Sequence, residues 1–452
     1  MPKNTAVVLL SLGLLAVTAS AEEGYETDPK PQPAQAPAYL PVARVPVTQG
    51  GIMPDERAVA SGLFIRVRRP VAKASVPFTV TEPSGVARKR CPVRGSIPIY
   101  RGELADAKNI RLLDDAGNEV PVQGLATSVW PEGTVKFLCI DFLTDLDAGQ
   151  TRAFTLEYGT AVTPKLETPL KAWKRTETVF VDTGMMTVSF APGEGFCRKI
   201  AVNGKPATRE NIGGGLLVAE GKPEDPPRAY PLLIDTVEIV EKGPVQTTVH
   251  LAGSYGKVMS ATELRWEKNV KRYPVHLFIR MYAGSARMDV THSFGYNGDE
   301  NRDFVRRYQL MVPLAAPGGE FVYGGDDGAK RVVPLVGNVH LVQPGHSSWK
   351  LTGPAPATGK RFGGWASVQT PSASCVIGLR DAWQQWPAGF QADGRRGELV
   401  VDIYGGAGAQ FLDLRYKGPG WERKTGTKGF HKSKSMYTGE KYSRVYGGDP
   451  YL

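Results

Sequence analysis

The sequence predicts an all-β protein, a small N-terminal β-barrel followed by a large β-sandwich domain, and three observations carry that expectation. Helical periodicity is scarce, while short alternating segments such as Phe64-Arg68, Ala153-Tyr158, Met186-Phe190, Thr236-Val240 and Thr247-Leu251 recur between Gly, Pro and Asp turns. Gly (52) and Pro (35) are abundant among the 452 residues, as a chain with many turns requires. Val129 to Phe142 reads as a tight turn feeding straight into a strand. Pro131 fixes φ, Gly133 relieves crowding where the chain leaves the turn, and Val135 to Phe142 is apolar or β-branched apart from Lys136 and Asp141; period two sets Lys136 at the rim of the buried face with Leu138, Ile140 and Phe142. No repeat of fixed period argues for a propeller or solenoid.

In chain order, residues 1–21 read as an export leader. Lys3 precedes the apolar run Ala6 to Val17, and Ala19-Ser20-Ala21 supplies the small residues for a cut before Glu22. The run is about a dozen residues, against the roughly 20 of a membrane span. The expectation is a secreted or periplasmic protein with no membrane segment after cleavage. Residues 22–62, rich in Pro and Ala, read as a linker; 63–160 as the barrel, 161–414 as the sandwich and 415–452 as a basic tail.

The net charge is +10, and its distribution matters more than its sum. Arg415 to Arg444 carries nine Lys or Arg against Glu422 and Glu440, and Arg66 to Arg94 carries eight against Glu82. Such patches suit an acidic polysaccharide, and export favours that partner over nucleic acid or lipid; solvated charge on a tail needs no ligand at all. Cys91, Cys139, Cys197 and Cys375 lie too far apart for a cysteine zinc site, and Cys139 and Cys375, inside apolar runs, read as buried thiols.

Cys91 to Leu104, then Ile110 to Gln123 with the hairpin turn Asp115-Ala116-Gly117-Asn118, then Trp130, Lys136 and Ala153 to Tyr158, together resemble the small N-terminal barrel of the exo-rhamnogalacturonan lyase family. In that family the barrel precedes a central β-sandwich and a C-terminal α/α toroid. The likeness runs from about Val76 to about Leu414, and no toroid is expected in the residues that remain. The resemblance implies β-elimination on a galacturonate-containing pectic chain, with a separately encoded toroid protein as a candidate partner. β-Elimination needs a base at C5, a group neutralising the carboxylate and an acid for O4. Lys136, His292 and Tyr296 are the candidate catalytic residues, with Arg302, Arg306 and Trp130 for substrate binding. A snorkelling rim lysine and a satisfied core histidine are the structural alternatives at Lys136 and His292.

A second unit, Val275 to Tyr296, predicts its own register. Gly284-Ser285 as a two-residue loop sets Leu277 against His292, Ile279 against Val290 and Met281 against Met288 on the core face. The other face sets Arg280 against Asp289 as an ion pair, Tyr282 against Arg287 as a cation–π contact and His276 against Ser293. Asp299, Asn301 and Asp303 alternate like the opening of a calcium loop, but Phe304 and Leu310 stand where an EF-hand needs Gly and Glu. No cofactor is expected; an irregular calcium loop there, or at Asp326-Asp327-Gly328, is the alternative. His250, His276, His340, His346 and His431 show no ligand spacing, and no Gly-x-Ser-x-Gly elbow or phosphate-binding glycine loop is present. Two other classes stay open: a non-catalytic glycan-binding or surface protein, and a glycoside hydrolase using Asp289 or Glu300 with Asp303.

Overall fold

The computed structural model describes residues 6–14, 69–193, 195–256, 273–299, 301–326, 329–371, 373–405 and 411–412. Most of the leader, the linker, the segment Phe64-Arg68, Glu300, Asp327-Gly328 and the basic tail lie outside the described residues. Every regular element among the described residues is a β-strand, so the all-β class holds. No helix there is long and apolar enough to cross a membrane.

The N-terminal unit is built from two small sheets. One joins Ala74–Thr81, Thr151–Tyr158, Ile110–Asp114 and Glu119–Val120; the other joins Arg88–Pro98, Val135–Leu146 and Val122–Val129. They face each other across one core, where Phe78 and Phe154 from the first sheet, 5.8 Å apart, meet Phe142 from the second at centroid distances of 6.0 and 5.0 Å. Among the described residues the two sheets share no strand pairing, so the unit is two facing sheets and the closed barrel is not seen.

The Trp130 turn forms as its residues require. Gly133 N–H donates to the Trp130 carbonyl at 2.8 Å, and Gly133 has φ +91°. Register shifts opposite Ser128 then break the simple alternation of the following strand. Val135 fills the core with Leu138, Ile140 and Phe142, and Lys136 leaves that row. The expectation that period two places Lys136 on the buried face is corrected by this irregularity.

The remainder of the described chain shares one large core. Its main sheet has sixteen hydrogen-bonded strands, from Lys330–Pro334 at one edge to Ala357–Gly359 at the other. It folds back on itself: Tyr323, near one edge, packs edge-on against Trp349, near the other, at 5.8 Å. A five-stranded sheet spanning Lys171 to Pro206 adds to the same core. Ala6–Leu14, within the run read as a leader, pairs in parallel with Arg287–Phe294 on one side and Ala373–Leu379 on the other. The four cysteines are unpaired, and burial pushes the Cys375 thiol up to about 12.

The predicted hairpin forms in the predicted register, with Leu277 opposite His292, Ile279 opposite Val290 and Met281 opposite Met288. Arg280 does face Asp289, but the ion pair is a correction. Asp289 takes Arg287 at 2.7 Å and the Tyr282 hydroxyl at 2.7 Å, because Arg287 lies two residues along the same strand and on the same face. Arg287 also stands 5.9 Å from the Tyr282 ring, the expected cation–π contact.

The N-terminal unit docks on the sandwich through buried polar groups. Arg94 holds Asp141 bidentately at 2.7 and 2.8 Å and reaches Glu241 of the sandwich at 3.1 Å. Gln123 accepts the Gln246 amide at 3.0 Å, and only a glycine at 243 lets it approach, since a Cβ there would sit 2.2 Å from the Gln123 side chain. Arg90 donates to the Ala283 carbonyl. Asp141 is buried, so removing its cation leaves a carboxylate without its counter-charge. Arg94→Ala should destabilise the protein by about 2 kcal/mol, below the full cost of breaking a buried pair because Arg94 is partly exposed. In limited proteolysis the variant should release the N-terminal unit faster than the wild type; equal rates would remove the docking role.

Candidate functional site

The six residues singled out from the sequence fall into separate places. Lys136 and Trp130 come together on the N-terminal unit, the ammonium 4.9 Å from the indole centroid, with the indole N–H donated to the Ile99 carbonyl. Both are half-buried. The other four lie on the sandwich.

His292 is fully buried. The Tyr255 hydroxyl stands 3.0 Å from Nε2, and the Tyr308 hydroxyl is hydrogen-bonded to Nδ1. A neutral imidazole has one donor and one acceptor nitrogen, so the two phenols satisfy it completely. Burial pushes its pKa down to about 3. Tyr296 packs against the core and donates its hydroxyl to the Asp303 carbonyl at 2.8 Å. Arg302 is exposed, and Arg306 donates to the Pro223 carbonyl. The calcium-like loop uses its carboxylates on backbone amides: Asp303 accepts Asp299 N–H at 3.0 Å and Asp299 accepts Asn301 N–H at 2.9 Å. Asp326 likewise accepts the Lys360 and Arg361 amides.

A different set of side chains converges on four neighbouring strands of the main sheet, Asp303–Pro313, Glu398–Tyr404, Ala388–Asp393 and Asn338–Gly345. Its centre is Asp402, a fully buried carboxylate. Gln391 Nε2 donates to Oδ2 at 2.7 Å, His340 Nε2 lies 3.5 Å from Oδ2, and Arg307 Nε lies 3.5 Å from Oδ1. Neither Asp402 Oδ1 nor His340 Nε2 has a hydrogen bond of normal length among the described residues. Arg307 and His340 are the members that reach solvent, their side chains 28% and 25% exposed. The opposite residue on the neighbouring strand is Gly389, where an added Cβ would sit 2.3 Å from the Leu341 carbonyl oxygen, so the strands pack closely beside Asp402.

Two bulges build this arrangement. Counting back by twos from the core-facing Val312, Leu310 and Tyr308 lands on Arg306, an arginine in core register. The pairing skips it: Leu217 faces Arg307 and Val218 faces Val305, so Val305 resumes the core row and Arg306 is set aside. On the next strand the pairing passes from Tyr308 with Tyr404 to Gln309 with Asp402, skipping Ile403. Bulges twist and re-aim strands, and these two flank the point where Arg307 meets Asp402.

The sequence contained a signal for Asp402: a single acid inside Leu399-Val400-Val401-Asp402-Ile403-Tyr404. An acid in an apolar strand needs a partner. Which strands supply that partner depends on long-range pairing, which spacing along the chain does not reveal.

Residues 170–316 match the family described as PcRGLX-like protein central beta sandwich domain. The match includes Arg307, His292, Tyr296, Arg302 and Arg306, and ends before His340, Gln391 and Asp402. The chain is also similar to the uncharacterized protein YetA of Bacillus subtilis (strain 168), 22% identical over 258 residues, covering 54% of this chain. It spans 28% of that relative's length. The expected likeness to rhamnogalacturonan lyase-like proteins is therefore supported for the central sandwich.

Burial of His292 has a consequence for stability. The unfolded chain takes up a proton near the ordinary histidine value of about 6.5, whereas the folded chain resists it down to about 3. The neutral-histidine contribution is therefore present above pH 6.5 and is lost as pH falls from there towards 3, by about 1.4 kcal/mol per pH unit. His292→Gln should flatten the acid limb of unfolding free energy against pH relative to the wild type. Parallel limbs would mean that His292 already carries a proton in the folded state.

Proposed function

We propose that this is an exported protein that binds a galacturonate-containing pectic chain over Asp402 and cleaves it by β-elimination. The observation that carries the reading is the convergence of a partly exposed guanidinium and a partly exposed imidazole on one buried carboxylate, in a fold whose central sandwich matches the lyase-like family.

The chemistry follows from what each group offers. Arg307 presents a planar fork that fits a carboxylate, and neutralising the uronate carboxylate makes the C5 proton acidic. His340 has one nitrogen beside Asp402 and makes no hydrogen bond through Nδ1 among the described residues, so Nδ1 is the atom to take that proton. Asp402 orients the ring and offers a counter-charge to the imidazolium, with Gln391 fixing the carboxylate in turn. In the balanced step the C5–H bond breaks, its electron pair forms the C4=C5 double bond, and the C4–O bond breaks. The departing oxygen takes a proton from the imidazolium or from water.

The Lys136–Trp130 pair stands apart from this centre, on the other unit, and serves in this reading as a place for the chain to rest. The test is incubation with rhamnogalacturonan, read both for the ultraviolet absorbance of an unsaturated uronate and for new reducing ends. The wild type should raise both. His340→Ala and Arg307→Gln should each lower the initial rate at least 100-fold, consistent with the loss of a general base or of a charge-stabilising group. Reducing ends without absorbance would point to a hydrolase. Retention on a pectin affinity gel with neither product would point to a binding protein.

A further inference from the structure

A second cluster lies where the strands of the Asp402 site run out. Val342 and Asp402 face the same glycine, Gly389, from its two sides. Four residues beyond Val342, on the order of 13 Å at ~3.3 Å per strand residue, the chain reaches His346. The Gly389 strand is entered from the loop Arg380-Asp381-Ala382-Trp383-Gln384-Gln385-Trp386-Pro387, which therefore borders the same end of the sheet. There the Arg361 guanidinium sits 4.1 Å from the Trp383 centroid, and the His346 ring meets Trp383 edge to face at 5.1 Å. His346 Nδ1 is hydrogen-bonded to the Ser347 hydroxyl at 2.8 Å.

The state of Arg361 is the informative feature. Its residue is exposed, its backbone amide is used by Asp326, and its guanidinium makes no hydrogen bond or ion pair with any described residue. An unpaired surface arginine ordinarily keeps its rotamer freedom, worth up to ~2 kcal/mol when lost. Here the Trp383 face restrains the guanidinium in advance and leaves its N–H fork unused, which lowers the entropy cost of gripping a ligand. The nearby carboxylate of Asp326 offers no competition, since two backbone amides and the Trp349 indole occupy it. Exposed Lys360 adds a positive charge to the surroundings, while Arg380 is paired with Asp381 at 3.5 Å.

We propose that Arg361, held by Trp383, is a binding subsite for a uronate carboxylate on the same chain that occupies the Asp402 site, with His346 and Ser347 offering hydrogen bonds to sugar hydroxyls. The proposal rests on the reading of the Asp402 centre as a uronate site. Arg361 is the ligand-contacting residue and Trp383 is a positioning residue. The subsite recognises charge, so it distinguishes a native galacturonate chain from one whose carboxyl groups have been reduced to alcohols.

The test is calorimetric titration of the full protein with rhamnogalacturonan oligosaccharides, native and carboxyl-reduced. Arg361→Gln should weaken native binding about tenfold and leave the weaker binding of the reduced chain unchanged. Trp383→Ala should also weaken native binding, and the double variant should bind no more weakly than Arg361→Gln alone, because Trp383 acts through the arginine. Arg361 is exposed, so its single variant remains informative even if Trp383→Ala folds poorly. Native binding within twofold of the wild type in Arg361→Gln overturns the subsite, and additive losses in the double variant overturn the positioning role. Wild-type binding that ignores carboxyl reduction overturns the subsite and the underlying uronate reading together. Cleavage lost in His340→Ala with affinity unchanged in Arg361→Gln overturns the subsite alone.

Discussion

A carboxylate taken out of water must be met by charge or by hydrogen bonds, and Asp402 is the place where this fold meets that demand with groups that also face solvent. Gln391 is the close partner, at 2.7 Å; the arginine and the histidine stand back at 3.5 Å. At that distance neither Arg307 nor His340 makes a hydrogen bond of normal length to the carboxylate. A structural ion pair looks different in this protein: Arg94 grips Asp141 with two bonds under 3 Å and joins two units. The two buried carboxylates thus differ in how closely their cations approach, bidentate at Asp141 and at 3.5 Å at Asp402.

The two histidines compared most directly teach the same lesson. His292 sits between two phenols, has no capacity left and is held neutral by burial. His340 lies in a strand of similar apolar character, Val339-His340-Leu341-Val342, yet its side chain is a quarter exposed and its neighbour is a carboxylate. Local sequence does not tell these cases apart. The partner from a distant strand does.

Much of the fold was legible because it follows from local rules. The all-β class, the Trp130 turn and the register of Val275 to Tyr296 each rest on turn chemistry and period-two alternation, and the structure has them. What alternation missed lies at its irregularities. A register shift moves Lys136 out of the core row, and a bulge sets Arg306 aside and leaves its neighbour Arg307 beside the buried acid. Arg306, the arginine singled out from the sequence, and Arg307, which stands 3.5 Å from Asp402, are neighbours that this bulge separates. Asp402, Gln391 and His340 come from three further strands, and only the order of those strands in the sheet assembles them.

The central claim is that a uronate sits against Arg307 and His340, the partly exposed groups beside the buried Asp402. The most direct measurement is a crystal structure of the His340→Ala protein with a rhamnogalacturonan oligosaccharide bound. The account predicts a galacturonate carboxylate within hydrogen-bonding distance of the Arg307 guanidinium and its C5 facing the position vacated by the imidazole. An oligosaccharide seated instead at Lys136 and Trp130, with no sugar against Arg307 and His340, would contradict it.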